Sequence, residues 1–150
     1  MSDLLFPGQR IARGVCRHLV GRDFAAVTEF VPEPGLRVDV IALGPDGEIW
    51  IIECKSSRVD YVVDRKWTGY LPWCDRFFWA VDADFPSEIL PEASGLILAD
   101  AFDGEILRWP EPSPLPPARR KALTRRFART AALRLGALAD PDLVHFAPMR

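Results

Sequence analysis

Gly35-Leu36-Arg37-Val38-Asp39-Val40-Ile41-Ala42-Leu43, then Gly44-Pro45-Asp46-Gly47, then Glu48-Ile49-Trp50-Ile51-Ile52-Glu53-Cys54-Lys55: this stretch decides the fold. Two β-rich runs flank a Gly/Pro/Asp turn, so they read as adjacent strands at about 36–43 and 48–55. Side chains alternate faces along a strand. That period puts Asp39 with Ile41, and puts Glu53 and Lys55 with Ile51. Two acids and a lysine thus end otherwise apolar runs. An unpaired charge is costly to bury there, so these groups require one another, a metal or a substrate.

Upstream, Ile11, Ala12, Val15, Cys16 and Leu19 recur at helical spacing, which predicts a helix over residues 8–21 ending at Gly21. Phe24-Ala25-Ala26-Val27-Thr28-Glu29-Phe30-Val31 predicts a strand closed by Pro32-Glu33-Pro34-Gly35. Alternation puts Glu29 on the face of Val27 and Val31, where it reads as a charge on a half-exposed sheet face.

Downstream, Ser57 with Asp60 three residues on is a helix-start signal. The helix is expected to run to about Leu71, with Val59, Val62, Val63, Trp67 and Tyr70 on its packing side and Pro72 closing it. Arg76-Phe77-Phe78-Trp79-Ala80-Val81 predicts a buried strand. Gly95–Asp100 and Glu105–Trp109, separated by Asp103-Gly104, predict a hairpin. Residues 110–117 hold five prolines and read as an extended spacer. Residues 118–138 predict an amphipathic helix with Leu123, Phe127, Ala131, Leu135 and Leu138 on one stripe and Lys121, Arg125 and Arg129 opposite. Residues 139–150 read as a short tail. The order is an αβββαβ core with a hairpin and a C-terminal helix added, an α/β fold on a mixed sheet.

A length of 150 residues, 49% apolar and 27% charged, fits one domain over residues 1–150 with a real core. No apolar run approaches about 18 residues, so no membrane span is expected. The start lacks a secretory pattern, and Cys16, Cys54 and Cys74 form neither a disulfide framework nor a zinc spacing. A cytoplasmic protein is expected. The net charge of −2 conceals an asymmetry. Seven Lys/Arg and no acid lie between residues 118 and 138, leaving 12 basic and 21 acidic residues elsewhere, a net of −9. A block of this kind points to an anionic partner or to a solvated face.

Asp39 and Glu53 on neighbouring strands can converge on one point. Paired carboxylates with a main-chain oxygen such as the Cys54 carbonyl are the hard donors that suit Mg²⁺ or Mn²⁺. Lys55 adds a cation beside them. Such a set can hold a phosphodiester and orient water for in-line displacement, with the lysine stabilising developing negative charge.

Val38-Asp39, thirteen residues, then Glu53-Cys54-Lys55 resembles the PD-(D/E)xK nuclease superfamily, with valine in place of the proline. Within it, the chain resembles the MmcB-type family of DNA-repair endonucleases, through Arg13-Gly14-Val15-Cys16, Glu53-Cys54-Lys55-Ser56-Ser57, Asp64-Arg65-Lys66-Trp67, Tyr70, Cys74-Asp75-Arg76, Gly95-Leu96-Ile97 and Ala139-Asp140-Pro141. The resemblance implies a restriction-endonuclease-like fold, DNA as substrate and a divalent metal. Asp39 and Glu53 become metal ligands, Lys55 the catalytic lysine and Glu29 a candidate extra acid. Lys66-Trp67-Thr68-Gly69-Tyr70 is similar to the Gln-x-x-x-Tyr helix motif of RecB-like nucleases, with lysine for glutamine. Lys66 and Tyr70 are therefore candidates to line a DNA cleft, the alternative for Tyr70 being core packing. Lys121, Arg125 and Arg129 are candidate phosphate contacts. Trp50, Trp67 and Trp79 read as core, and His18 and His145 as structural or solvated.

The expected function is a metal-dependent DNA endonuclease acting on a repair intermediate, with a homodimer or a repair protein as a further partner. The alternative is a catalytically inactive DNA-binding or interaction module on the same fold.

Overall fold

A computed structural model describes residues 5–58, 61 and 67–149. Its frame is one six-stranded mixed sheet in the order β1 (Ala25–Glu33), β2 (Leu36–Leu43), β3 (Ile49–Lys55), β4 (Arg76–Val81), β5 (Gly95–Ala99) and β6 (Gly104–Arg108). β3, β4 and β5 run parallel, and every other neighbouring pair is antiparallel. The turns follow the backbone chemistry of their glycines. Gly35 and Gly47 have φ of 83° and 93°, a left-handed conformation that side chains resist. Gly47 N–H also closes the β2–β3 turn onto the Gly44 carbonyl at 3.0 Å.

The central strands are buried on both faces, as parallel strands covered on two sides must be. On one face, Val40, Ala42, Trp50, Ile52, Cys54, Phe78, Ala80 and Ile97 pack beneath α1 (Pro7–Gly21) through Ile11, Val15 and Leu19. On the other, Val38, Ile41, Ile51, Phe77 and Trp79 are covered by Tyr70, Leu115, Leu123 and Phe127. The last two belong to α2 (Pro117–Ala139).

α1 begins as expected. Pro7 occupies its first turn, where a missing N–H is harmless, and the Gln9 side chain accepts the Phe6 N–H at 3.0 Å. Gly14 lets it lie directly on the β5–β6 turn: a Cβ there would sit 1.9 Å from the Asp100 carbonyl oxygen and 2.6 Å from that of Asp103. Both obstacles are backbone, so α1 itself must move. Gly14→Ala is expected to cost about 1–3 kcal/mol, read as a lowered urea midpoint. An unchanged midpoint would show that α1 is not seated this way.

Several expectations are corrected. The helix expected to end at Leu71 reaches Trp73, as a 3-10 helix over Trp67–Trp73 with Pro72 inside it. Val59, Val62 and Val63, expected on its packing side, lie outside the described residues, as does Lys66. The proline-rich residues 110–117 are no free spacer: Leu115 is buried in the core, and the Ser113 and Leu115 N–H groups bond to Asp75. The tail contains a 3-10 helix, Pro141–Phe146. The apolar stripe of α2 is used at Leu123 and Phe127, with Ala131 partly buried against the same core, whereas Leu135 and Leu138 are 68% and 82% exposed.

α2 is instead tied down by arginines donating to main-chain carbonyls. Arg119 reaches Pro72 at 3.0 Å, Arg120 reaches Gly47 at 2.9 Å and Arg126 reaches Pro32 at 3.0 Å. Arg134 bonds to the Thr28 carbonyl and, at 2.6 Å, to that of Glu29.

Candidate active site

The β2–β3 ladder runs from Leu43↔Ile49 to Val40↔Ile52 and stops. One position further on stand Asp39 and Glu53. Here side chains take over the bonding of the backbone. The Asp39 N–H donates to Glu53 Oε1 at 3.2 Å, and the Cys54 N–H donates to Asp39 Oδ2 at 2.8 Å. On its other edge β3 stays fully paired, Glu53 opposite Trp79, Cys54 opposite Ala80 and Lys55 opposite Val81. The two strands therefore fork at the two acids, and a rigid strand holds one tine.

Strict alternation does not survive the fork. Val38 and Ile41, three residues apart, lie in the same core cluster, while Val40 and Ala42 lie in the other. The phase slips by one residue at Asp39, so Asp39 does not share the setting of Ile41. It opens instead into a cleft beneath α1. β1 slips at the facing position. Glu29 has φ of 49°, left-handed for a residue with a side chain. Val27 and Phe30 are buried while Val31 is exposed, so Glu29 does not share one face with Val27 and Val31. The period-2 reading failed at both places because local backbone twist overrode it.

The cleft, about 490 Å³, is walled on one side by Phe6, Gln9, Ala12, Arg13 and Cys16 and on the other by Thr28, Glu29, Asp39 and Cys54. Glu53 lies under this surface and is 3% exposed. Burial above all, then the Asp39 carboxylate beside it, pushes the Glu53 carboxyl up to about 10, against an opposing pull from Lys55. At neutral pH in the metal-free protein Glu53 is thus a carboxylic acid. The donor chemistry fits a hard divalent cation. Two carboxyl groups meet at a point too crowded for two bare negative charges, and a bound cation would take the place of the proton. Among the described residues, however, no group of three or more His, Cys, Asp or Glu side chains surrounds one point. Glu29 shares the cleft without joining the pair.

Lys55 is half-buried at the end of β3, near enough for its charge to act on Glu53 and Cys54. Burial above all, then the neighbouring Asp39 and Glu53 side chains, raises the Cys54 thiol well above its usual value. It stays a thiol, which leaves only its main chain as a donor.

Tyr70 is buried with its ring stacked 17° from the plane of Phe77 at 6.1 Å, which places it in the core. Lys121, Arg125 and Arg129 are exposed, on the side of α2 away from Leu123 and Phe127. The basic helix therefore has two kinds of cation, those bonded to carbonyls and these three.

Two residues had no independent signal in the sequence. Arg13 is in the cleft wall because its helix lies on β5 and β6. Asp75 joins partners 26, 40 and 45 residues away, a convergence that no local spacing encodes.

A family model described as DNA repair protein MmcB-like matches residues 8–142. The fold is similar to a solved protein of unknown function from Silicibacter pomeroyi, with a TM-score of 0.91 and 62% identity over 93% of this chain and 95% of that one. No curated protein matches the chain. None of the described helices is long and apolar enough to cross a membrane.

Proposed function

Because the chain belongs to the MmcB-like family of DNA repair proteins, we propose that it is a metal-dependent deoxyribonuclease of the PD-(D/E)xK type that hydrolyses phosphodiester bonds in a repair intermediate. The observation that carries this reading is the fork at Asp39 and Glu53, where two carboxylates meet at the end of a buried strand with a lysine two residues on. Nothing in the packing of the sheet requires it. The ladder could have continued for another pair with apolar residues, as it does at the four pairs before.

Asp39 and Glu53 would hold Mg²⁺ or Mn²⁺, with the Cys54 carbonyl as a further oxygen donor. The bound cation would supply Lewis acidity and lower the pKa of a coordinated water. The chain's own groups do the rest. Asp39, fixed by the Cys54 N–H, keeps its carboxylate aimed into the cleft. The Lys55 ammonium stabilises charge developing on the phosphate oxygens and helps to position the attacking water. Glu29 supplies a second acceptor on the cleft wall for ordered water. Lys121, Arg125 and Arg129 contribute contacts to the DNA backbone.

Purified protein incubated in Mn²⁺ with nicked, flapped, branched and single-stranded DNA is expected to cleave at least one of them. Calorimetric titration should show Mn²⁺ binding that Glu53→Ala abolishes. Absence of both cleavage and Mn²⁺ binding would sink the proposal. A second reading, a non-catalytic DNA-binding module, is favoured by one observation: the cleft reaches Asp39, but Glu53 beneath it is nearly inaccessible. DNA binding without Mn²⁺ binding is the outcome that selects it.

A further inference from the structure

The cleft wall contributed by α1 is built from residues 9, 12, 13 and 16, one helical face at i, i+3, i+4 and i+7. Gln9 is engaged at the helix start, where its Oε1 accepts the Phe6 N–H. Ala12 and Cys16 are small. Arg13 is the cation of this wall, half-buried and directed into the same space as Asp39 and Glu29.

Two neighbouring arginines, one in this helix and one at its C-cap, have defined partners, whereas Arg10 is exposed to solvent. Arg17 donates to the Phe102 carbonyl at 3.3 Å, and Arg22 donates to His18 Nε2 at 2.8 Å. Arg13 makes no hydrogen bond or ion pair with any described residue. The residue is thus half-buried in the cleft wall while its guanidinium has no acceptor from the described protein, which leaves its donors available to a ligand. The backbone contact of α1 with Asp100 and Asp103 fixes the rotation of the helix, and with it the direction of Arg13.

We propose that Arg13 is a substrate-positioning residue that grips a non-scissile backbone phosphate of DNA lying in the cleft. A guanidinium offers two parallel N–H donors to two phosphate oxygens, a match that an ammonium cannot reproduce. The acids opposite would repel that same backbone, so a cation facing them sets which phosphate can approach and from which side. The proposal deepens the nuclease reading and rests on it for the identity of the ligand.

The test compares wild type, Arg13→Ala and Arg13→Lys. DNA affinity is measured by fluorescence anisotropy in EDTA over a series of NaCl concentrations, and KM and kcat are measured in Mn²⁺. Arg13→Ala is expected to weaken binding about tenfold and to reduce the slope of log K against log salt by about one, the signature of one lost phosphate contact. KM should rise with kcat little changed, because the contact holds substrate and transition state alike. Arg13→Lys should restore the salt slope while recovering only part of the affinity.

An unchanged slope and affinity in a folded Arg13→Ala protein overturns the proposal. So does a change in Mn²⁺ affinity with the DNA slope intact, which would make Arg13 a counter-charge to the acids. If Arg13→Ala fails to fold, Arg13→Gln carries the same readouts. A wild type that binds DNA without cutting it removes the nuclease reading and leaves the salt slope to decide on Arg13. A wild type that binds no DNA at any salt overturns both.

Discussion

Asp39→Asn and Lys55→Ala proteins are expected to fold normally and to lose DNA cleavage by a factor of about 10² to 10³ or more, the range seen when one charge-stabilising group is removed from an active site. The asparagine keeps the shape of the side chain and an oxygen that can accept the Cys54 N–H, so the fork in the sheet is preserved. What it removes is one of two carboxylate charges. Lys55 is different, because it ends β3 with its main chain paired to Val81 of β4. Truncating it leaves that ladder untouched and removes the ammonium together with its aliphatic stem. Cleavage by Mn²⁺-loaded protein, with circular dichroism and a melting curve as controls, gives the measurement. Activity that survives in both folded variants would remove this site from the reaction.

Asp75→Ala is expected to be the most destabilising single change away from the cleft. Asp75 is 6% exposed. Its Oδ2 accepts from the Ile49 N–H at 2.8 Å and from Arg120 at 2.6 Å, and its Oδ1 accepts from the Leu115 N–H at 2.8 Å and from Arg120 at 2.6 Å. Its main chain adds bonds to the Ile49 carbonyl at 2.7 Å and from the Ser113 N–H at 2.8 Å. One carboxylate thus joins the start of β3, the proline-rich strap and the first turns of α2. Alanine leaves two main-chain donors and a partly buried guanidinium without their acceptor, a loss of about 3–5 kcal/mol. Chemical denaturation reads it directly; a change below about 1 kcal/mol would show that water replaces the carboxylate at little cost.

The same residue sets a pH dependence. Burial alone would raise the Asp75 carboxyl, but Arg120 and the Ile49 and Leu115 N–H groups outweigh burial and hold it below the usual carboxylate range. A folded-state value below the unfolded one means that the contribution is complete above the ordinary aspartate value of about 3.9. It is lost as pH falls from there through the folded value. The acid side of the stability profile should flatten in Asp75→Ala.

The strands and the site were legible to different degrees, for physical reasons. β2 and β3 announced themselves because both carry apolar runs around a turn whose Gly47 takes a left-handed backbone conformation. Asp39, Glu53 and Lys55 stood out because charges at the ends of buried strands need a reason. Their true arrangement was not legible. Alternation assumes a regular ladder, and this ladder ends at Val40↔Ile52 and changes phase at Asp39 and Glu29. The stripe on α2 was visible as a pattern, yet the length of helix that finds something to pack against depends on where β1 lies. Asp75 bonds to residues far away in the chain and Arg13 faces Glu29 and Asp39 across the cleft, and a spacing rule that looks a few positions ahead has no access to either.

The grip of Arg134 on the Thr28 and Glu29 carbonyls makes the far end of the chain a splint for the cleft. Glu29 stands in a left-handed conformation, and its carbonyl and that of Thr28 find their donor in a residue 105 and 106 positions later. Shortening the protein before Arg134 would therefore trim more than a surface helix. It would unbrace the wall opposite α1, and loss of function in such a truncate would report on posture rather than on missing chemistry.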